Sequence, residues 1–167
     1  DDPRAGEPMR LRARVDAAAG LRDTLLQVAT SVELEVLQGV TRDLVLAVPP
    51  DVTVTAVAGP LVDDWRVAGP RLRITFLDAV TTTTACLVRS ESRLPAAAEV
   101  RLPLLRVPLA ERETGRISVD VGSEAEVVAV AVEGLEALDD AGPMLSPRAR
   151  AFQLTPLPGI SDRRLAL

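Results

Sequence analysis

The chain contains no lysine, no histidine, no tyrosine and no asparagine, and all 19 of its basic residues are arginine. The four missing types have AT-rich codons, so the bias reads as that of a GC-rich, bacterial-type coding sequence. Its chemical consequences hold whatever the cause. Without histidine there is no Ser-His-Asp or Cys-His catalytic arrangement and no imidazole metal ligand. Without lysine there is no Schiff base and no phosphate-loop lysine. Aromatic residues are scarce as well, only Trp65, Phe76 and Phe152, so Val, Leu and Ala must fill the core. A single cysteine, Cys86, allows no internal disulfide. It lies in an alternating apolar run and is expected to be a small buried residue. No run reaches the roughly 18 apolar residues of a membrane helix, and no signal-peptide pattern is visible. A net charge of −5 disfavours nonspecific nucleic-acid binding.

What is present is a core. Hydrophobic residues make up 47% of 167 residues, enough for one large domain or two small ones. Asp43 to Phe76 shows how that core is laid out. Leu44, Leu46 and Val48 alternate with Val45 and Ala47 until Pro49-Pro50. Val52 and Val54 alternate with Thr53 and Thr55 until Gly59-Pro60. Trp65-Arg66-Val67 follows, then Gly69-Pro70, then Leu72, Ile74 and Phe76 between Arg71, Arg73 and Thr75. Period two bounded by Gly and Pro predicts antiparallel strands with one buried face.

The same pattern extends both ways. Residues 1–8 are a loose lead-in. Met9 to Ala17 alternates with Arg10, Arg12, Arg14 and Asp16, and Gly20 is expected to turn the chain. The three arginines read as a solvated strand face, or else as a docking stripe for an acidic partner. Leu25 to Leu37, where Leu25, Leu26 and Ala29 alone would also fit a helix, reads as strand on its alternation from Ser31 and is ended by Gly39, and Thr81 to Ser90 reads as another after a loop around Asp78. Pro95, Pro103 and Pro108 break the next run into an edge or crossing segment. Glu111 to Gly115 is expected to be a charged turn before Ile117, Val119 and Val121. Val127 to Val132 reads as a central strand, residues 133–147 as a loop, and Ala149 to Leu154 as a last full strand. The fold expected is an all-β antiparallel β-sandwich of roughly ten strands. It runs as a single extended domain over residues 9–167, with a subdomain break near 94–108 as the alternative. Leu44, Leu46, Leu72, Ile74, Phe76, Leu87, Val119 and Val130 are expected to be buried. The ends read as cuts in a longer protein, with Arg163 to Leu167 an unpaired strand open to strand addition.

Candidate sites are few. Asp63-Asp64 and Asp139-Asp140 are paired acids, but Ca²⁺ needs several oxygens and no Asp-x-Asp-x-Asp-Gly loop occurs, so no metal site is assigned. Glycoside hydrolysis needs two carboxylates at a set separation. Asp64 and Glu111 are such a pair only as any acidic chain would offer one. No catalytic residue and no cofactor is assigned, and the chain is expected not to be an enzyme. Trp65, with Asp63, Asp64 and Arg66, is the one candidate binding group, since Trp and Arg are enriched at hot spots. The alternative is a Trp buried under the turn.

The order of pieces also resembles a known group. Leu44 to Pro50, Asp64 to Val67, Leu102 to Val107 and Glu111 to Val119, with the Gly134-Leu135-Glu136 turn and the Ala151-Phe152 strand, are similar to the β-sandwich domains of large predicted envelope or secreted bacterial proteins of unknown function. That resemblance implies an extracytoplasmic setting and a noncatalytic structural or protein-interaction role within a larger exported protein. The partners expected are neighbouring domains of the parent protein or another protein chain, with no nucleic acid and no membrane contact by this segment. A glycan- or peptide-binding sandwich using the Trp65 loops is the alternative.

Overall fold

The structure is a computed structural model that describes residues 3–22, 24–93, 104–120, 132–133, 135–138, 150–154 and 164–165. Among the described residues a short 3₁₀ turn, Pro3–Gly6, precedes twelve strands. They are β1 (Arg10–Arg22), β2 (Leu25–Gln38), β3 (Thr41–Ala47), β4 (Thr53–Ala58), β5 (Val62–Ala68), β6 (Arg71–Val80), β7 (Thr83–Arg93), β8 (Arg112–Asp120), β9 (Val132–Glu133), β10 (Leu135–Leu138), β11 (Arg150–Leu154) and β12 (Arg164–Leu165). There is no α-helix among the described residues. Among the described residues eight strands are six residues or longer and four are short.

Two sheets carry the fold. The larger runs β10-β11-β8-β1-β2-β7-β4 and the smaller β3-β6-β5. One apolar cluster joins them: Leu11, Val15, Val28, Val32 and Leu34 from the large sheet meet Leu44, Leu46, Leu72, Ile74 and Phe76 from the small one. This is sandwich packing, with side chains alternating in and out along each strand. β2 shows the cause, since Val28, Thr30, Val32, Leu34 and Val36 point in while Gln27, Ser31, Glu33 and Glu35 do not.

The pairing is not wholly antiparallel. β1 pairs β2 antiparallel but β8 in parallel, with Arg12 beside Arg112 and Ala17 beside Ile117. A parallel neighbour needs a long crossover rather than a hairpin, and everything from β2 to β7 supplies it. The ladder is interrupted at Gly115, whose φ is 150° and whose backbone lies against that of Val15. Asp16 repairs the gap, its Oδ1 accepting the N–H of Arg116 at 2.9 Å.

Several local expectations are corrected. Gly20 does not turn the chain. It sits inside β1 opposite Gln27, and the hairpin closes between Arg22 and Leu25. Asp78 lies within β6, and the bend comes at Thr81 and Thr82. Leu87 is not in the core. Both faces of β7 carry apolar residues, and pairing with β2 decides between them: Cys86 opposes Val32 and Val88 opposes Thr30, so those two go in and Leu87 stays half-exposed. Glu111 to Gly115 is not a turn, because β8 begins at Arg112 and buries Glu113. Leu135 and Glu136 belong to β10, paired with β11, rather than to a turn or loop. The strand near the C-terminus is paired, Arg164 with Glu133 and Leu165 with Val132. The expectations on Asp139-Asp140, on Val130 and on the rest of residues 127–131 lie outside the described residues.

The described part of the Pro-broken run, residues 104–110, forms a crossing segment. Leu105 and Val107 are buried in the shared core. Arg106 bridges the free side of β3, with Ala47 N–H donating to the Arg106 carbonyl at 2.8 Å. Glu113 holds the segment from below. Its Oε2 accepts the N–H of Val107 at 3.1 Å, and its Oε1 lies 3.8 Å from the Arg106 guanidinium.

Candidate functional site

The sequence candidates centre on β5, the edge strand of the small sheet. A bulge at Asp63 shifts the register, so Val62 opposes Phe76 while Asp64 opposes Thr75. From there the alternation is regular. Trp65 opposes Ile74 and is half-buried, packed against the core. Asp64 and Arg66 point the other way, to solvent, and form an ion pair at 3.7 Å. Asp63 is exposed. The four residues therefore divide between two sides of the strand. The indole braces the core, while Asp63 and the charged pair are exposed.

The remaining carboxylate candidates do not converge either. Glu111, just before β8, is held by Arg10 in a two-point contact at 3.0 and 3.2 Å. Asp64 belongs to the other sheet. Among the described residues no group of three or more His, Cys, Asp and Glu is placed to hold a metal ion. A groove of about 770 Å³ is lined by Leu25, Asp51, Val52, Thr53, Glu91, Ser92 and Arg93. The arginines of β1 lie on a solvated outer face. Arg10 binds Glu111, Arg14 binds Asp16 at 3.0 Å, and Arg12 stands opposite Glu35.

One grouping was not singled out from the sequence. Gly69, with φ 57°, and Pro70 make a two-residue turn that places Ala68 opposite Arg71 and Arg66 opposite Arg73. Three exposed arginines thus share the outer face of the small sheet. The signal was legible in Arg-x-x-Gly-Pro-Arg-x-Arg, once a two-residue hairpin is assumed.

Cys86 is buried, as its alternating context implies, and burial pushes its thiol from 9.0 up to about 11. The folded state therefore keeps this proton between about pH 9 and 11, where the unfolded chain has released it. Stability tied to Cys86 is fully present below about pH 9 and lost as pH rises through about 11. In urea melts the Cys86→Ala variant should show a shallower loss of stability over that window. In the folded wild type at pH 8, a thiol reagent should react only as fast as the chain opens. Rapid labelling under native conditions would show the thiol to be accessible.

No protein-family model matches the chain, and no curated protein matches it. Solved structures do match. The M1 zinc metallopeptidase of Deinococcus radiodurans aligns over 94% of this chain and 42% of its own, at 13% identity and a TM-score of 0.61. A mutant of that enzyme bound to a Tyr-Ser-Ala substrate aligns with a TM-score of 0.62, again at 13% identity, 94% of this chain and 42% of the other. Native yeast LTA4 hydrolase aligns over 93% of this chain and 28% of its own, at 10% identity and a TM-score of 0.61. Likeness at this level of identity concerns the fold alone. The chain spans less than half the length of these structures.

Proposed function

We propose that this chain is a noncatalytic β-sandwich module of a larger protein built on the plan of the M1 metallopeptidases, and that it acts by contact with neighbouring domains or another protein chain. The supporting observation is coverage: nearly all of this chain aligns with less than half of each such enzyme. Composition agrees. A zinc peptidase centre of the His-Glu-x-x-His type needs two histidines, and this chain has none. In this reading the module is one domain from Met9 onward, and the envelope-protein resemblance adds an extracytoplasmic setting. The inward placement of Trp65 argues against an aromatic platform for glycans.

Two measurements test the reading. A longer product of the same gene, extended beyond Leu167, should melt several degrees higher in this module's transition, by about 1 kcal/mol or more of added contact. Trp65 emission should not respond to glycans or short peptides. Saturable quenching of Trp65 by a sugar, with no gain from the extension, would replace the structural role with a ligand-binding one.

A further inference from the structure

The outer face of the small sheet is charged in an ordered way. Directly opposed residues of antiparallel strands share a face, so the register gives three rows across β5, β6 and β3. Ala68, Arg71 and Ala47 form the first, Arg66, Arg73 and Val45 the second, and Asp64, Thr75 and Asp43 the third. The arginines gather at the Gly69-Pro70 end over a floor of Ala47, Val45 and Ala68, and the two carboxylates lie at the other end. Arg66 and Arg73 stand directly opposite each other, and like charges so placed destabilise a sheet. Their ion pairs are long and wet: Arg66 to Asp64 is 3.7 Å and Arg73 to Asp43 is 3.6 Å, with the arginine side chains 87% and 65% exposed. Contacts of that kind contribute little. Arg71 has no ion pair among the described residues.

We infer that this face is a docking surface for an acidic protein segment, whose carboxylates seat on Arg66, Arg71 and Arg73 while short apolar side chains lie on Ala47 and Val45. The inference rests on the interaction-module reading and gives that module its contact face. Guanidinium forks suit carboxylates at two points each. A protein segment fits better than a phosphate polymer or an anionic lipid surface. Asp43 and Asp64 at one end would repel a uniformly negative partner, and the chain itself carries −5. A segment with acidic residues at one end and a neutral or basic residue at the other matches both ends.

The test uses a fluorescein-labelled peptide with glutamates at one end and alanines and a single lysine at the other, and fluorescence anisotropy at low and physiological salt. R66Q/R71Q/R73Q is compared with R12Q/R14Q/R112Q, which removes the same charge from the other sheet's outer face. Saturable, salt-sensitive binding by the wild type, weakened at least about tenfold in the first variant and much less in the second, supports the proposal. Arg71→Gln alone, at a site without a described ion pair, gives a second reading that does not depend on the triple variant folding. Absence of saturable binding, equal loss in both triple variants, or tighter binding to phosphatidylglycerol vesicles than to the peptide would overturn it. Should the peptide fail while the longer gene product still melts higher, this surface is removed and the module reading stands.

Discussion

Replacing Gly115 with alanine is expected to cost about 2–5 kcal/mol of unfolding free energy, a large part of the roughly 5–15 kcal/mol available to a domain of ordinary stability. Two causes add. Gly115 holds φ at 150°, where an L side chain is strained. A Cβ there would also collide with the carbonyl of Val15 on the neighbouring strand, and backbone in a central strand cannot swing aside as a side-chain tip can. Relief would require β8 to move off β1, breaking the contact in which Asp16 receives the Arg116 N–H. Gly20, in β1 itself, is the matched control, because it has open space around it and no positive φ. Gly20→Ala should fall within about half a kcal/mol of wild type. Urea denaturation of the two variants is the measurement. Equal effects would mean that β8 does not lie against β1 as described.

Ile74→Ala is expected to cost about 2–5 kcal/mol, the range for a large aliphatic side chain removed from a site that cannot collapse. Ile74 is completely buried, on the central strand of the small sheet, between Leu44 on β3 and Trp65 on β5. Three strands fix its surroundings, so the cavity has little room to close. Leu77, three residues on and 57% exposed, provides the contrast. Leu77→Ala should change stability by no more than about half a kcal/mol. A small loss at Ile74 with a large one at Leu77 would mean that β6 is in the opposite register.

The two sheets were legible where one face alone is apolar. β2 and β6 alternate without exception through their middle, and Arg71 and Arg73 leave only one way to place Leu72 and Ile74. β7 was misread at Leu87 because Leu87, Cys86 and Val88 are all apolar, and the choice belongs to the partner strand. Glu113 was misread because a charged run looks like a turn until its carboxylate finds the backbone of Val107. The parallel pairing of β1 with β8 leaves no local mark, since alternation is the same in either direction. At the candidate site, the type of each residue was legible but its direction was not. The bulge at Asp63 determines that Trp65 turns inward and Arg66 outward, and a bulge has no reliable sequence signal at that position.

The parallel contact also sets an order of events during synthesis. Asp16 and Arg116 are separated by 100 positions. At about 5–20 residues per second, β1 emerges roughly 5–20 s before the strand that completes it. Its first side is closed at once by the hairpin with β2, a local contact. Its second side stays an open edge throughout that interval, and long-range closure of this kind is the slow part of folding a β protein. Arg10, Arg12 and Arg14 lie along that waiting edge. Charges there discourage the edge from pairing with another nascent chain, so these residues act on the yield of the fold before they take their places on its surface.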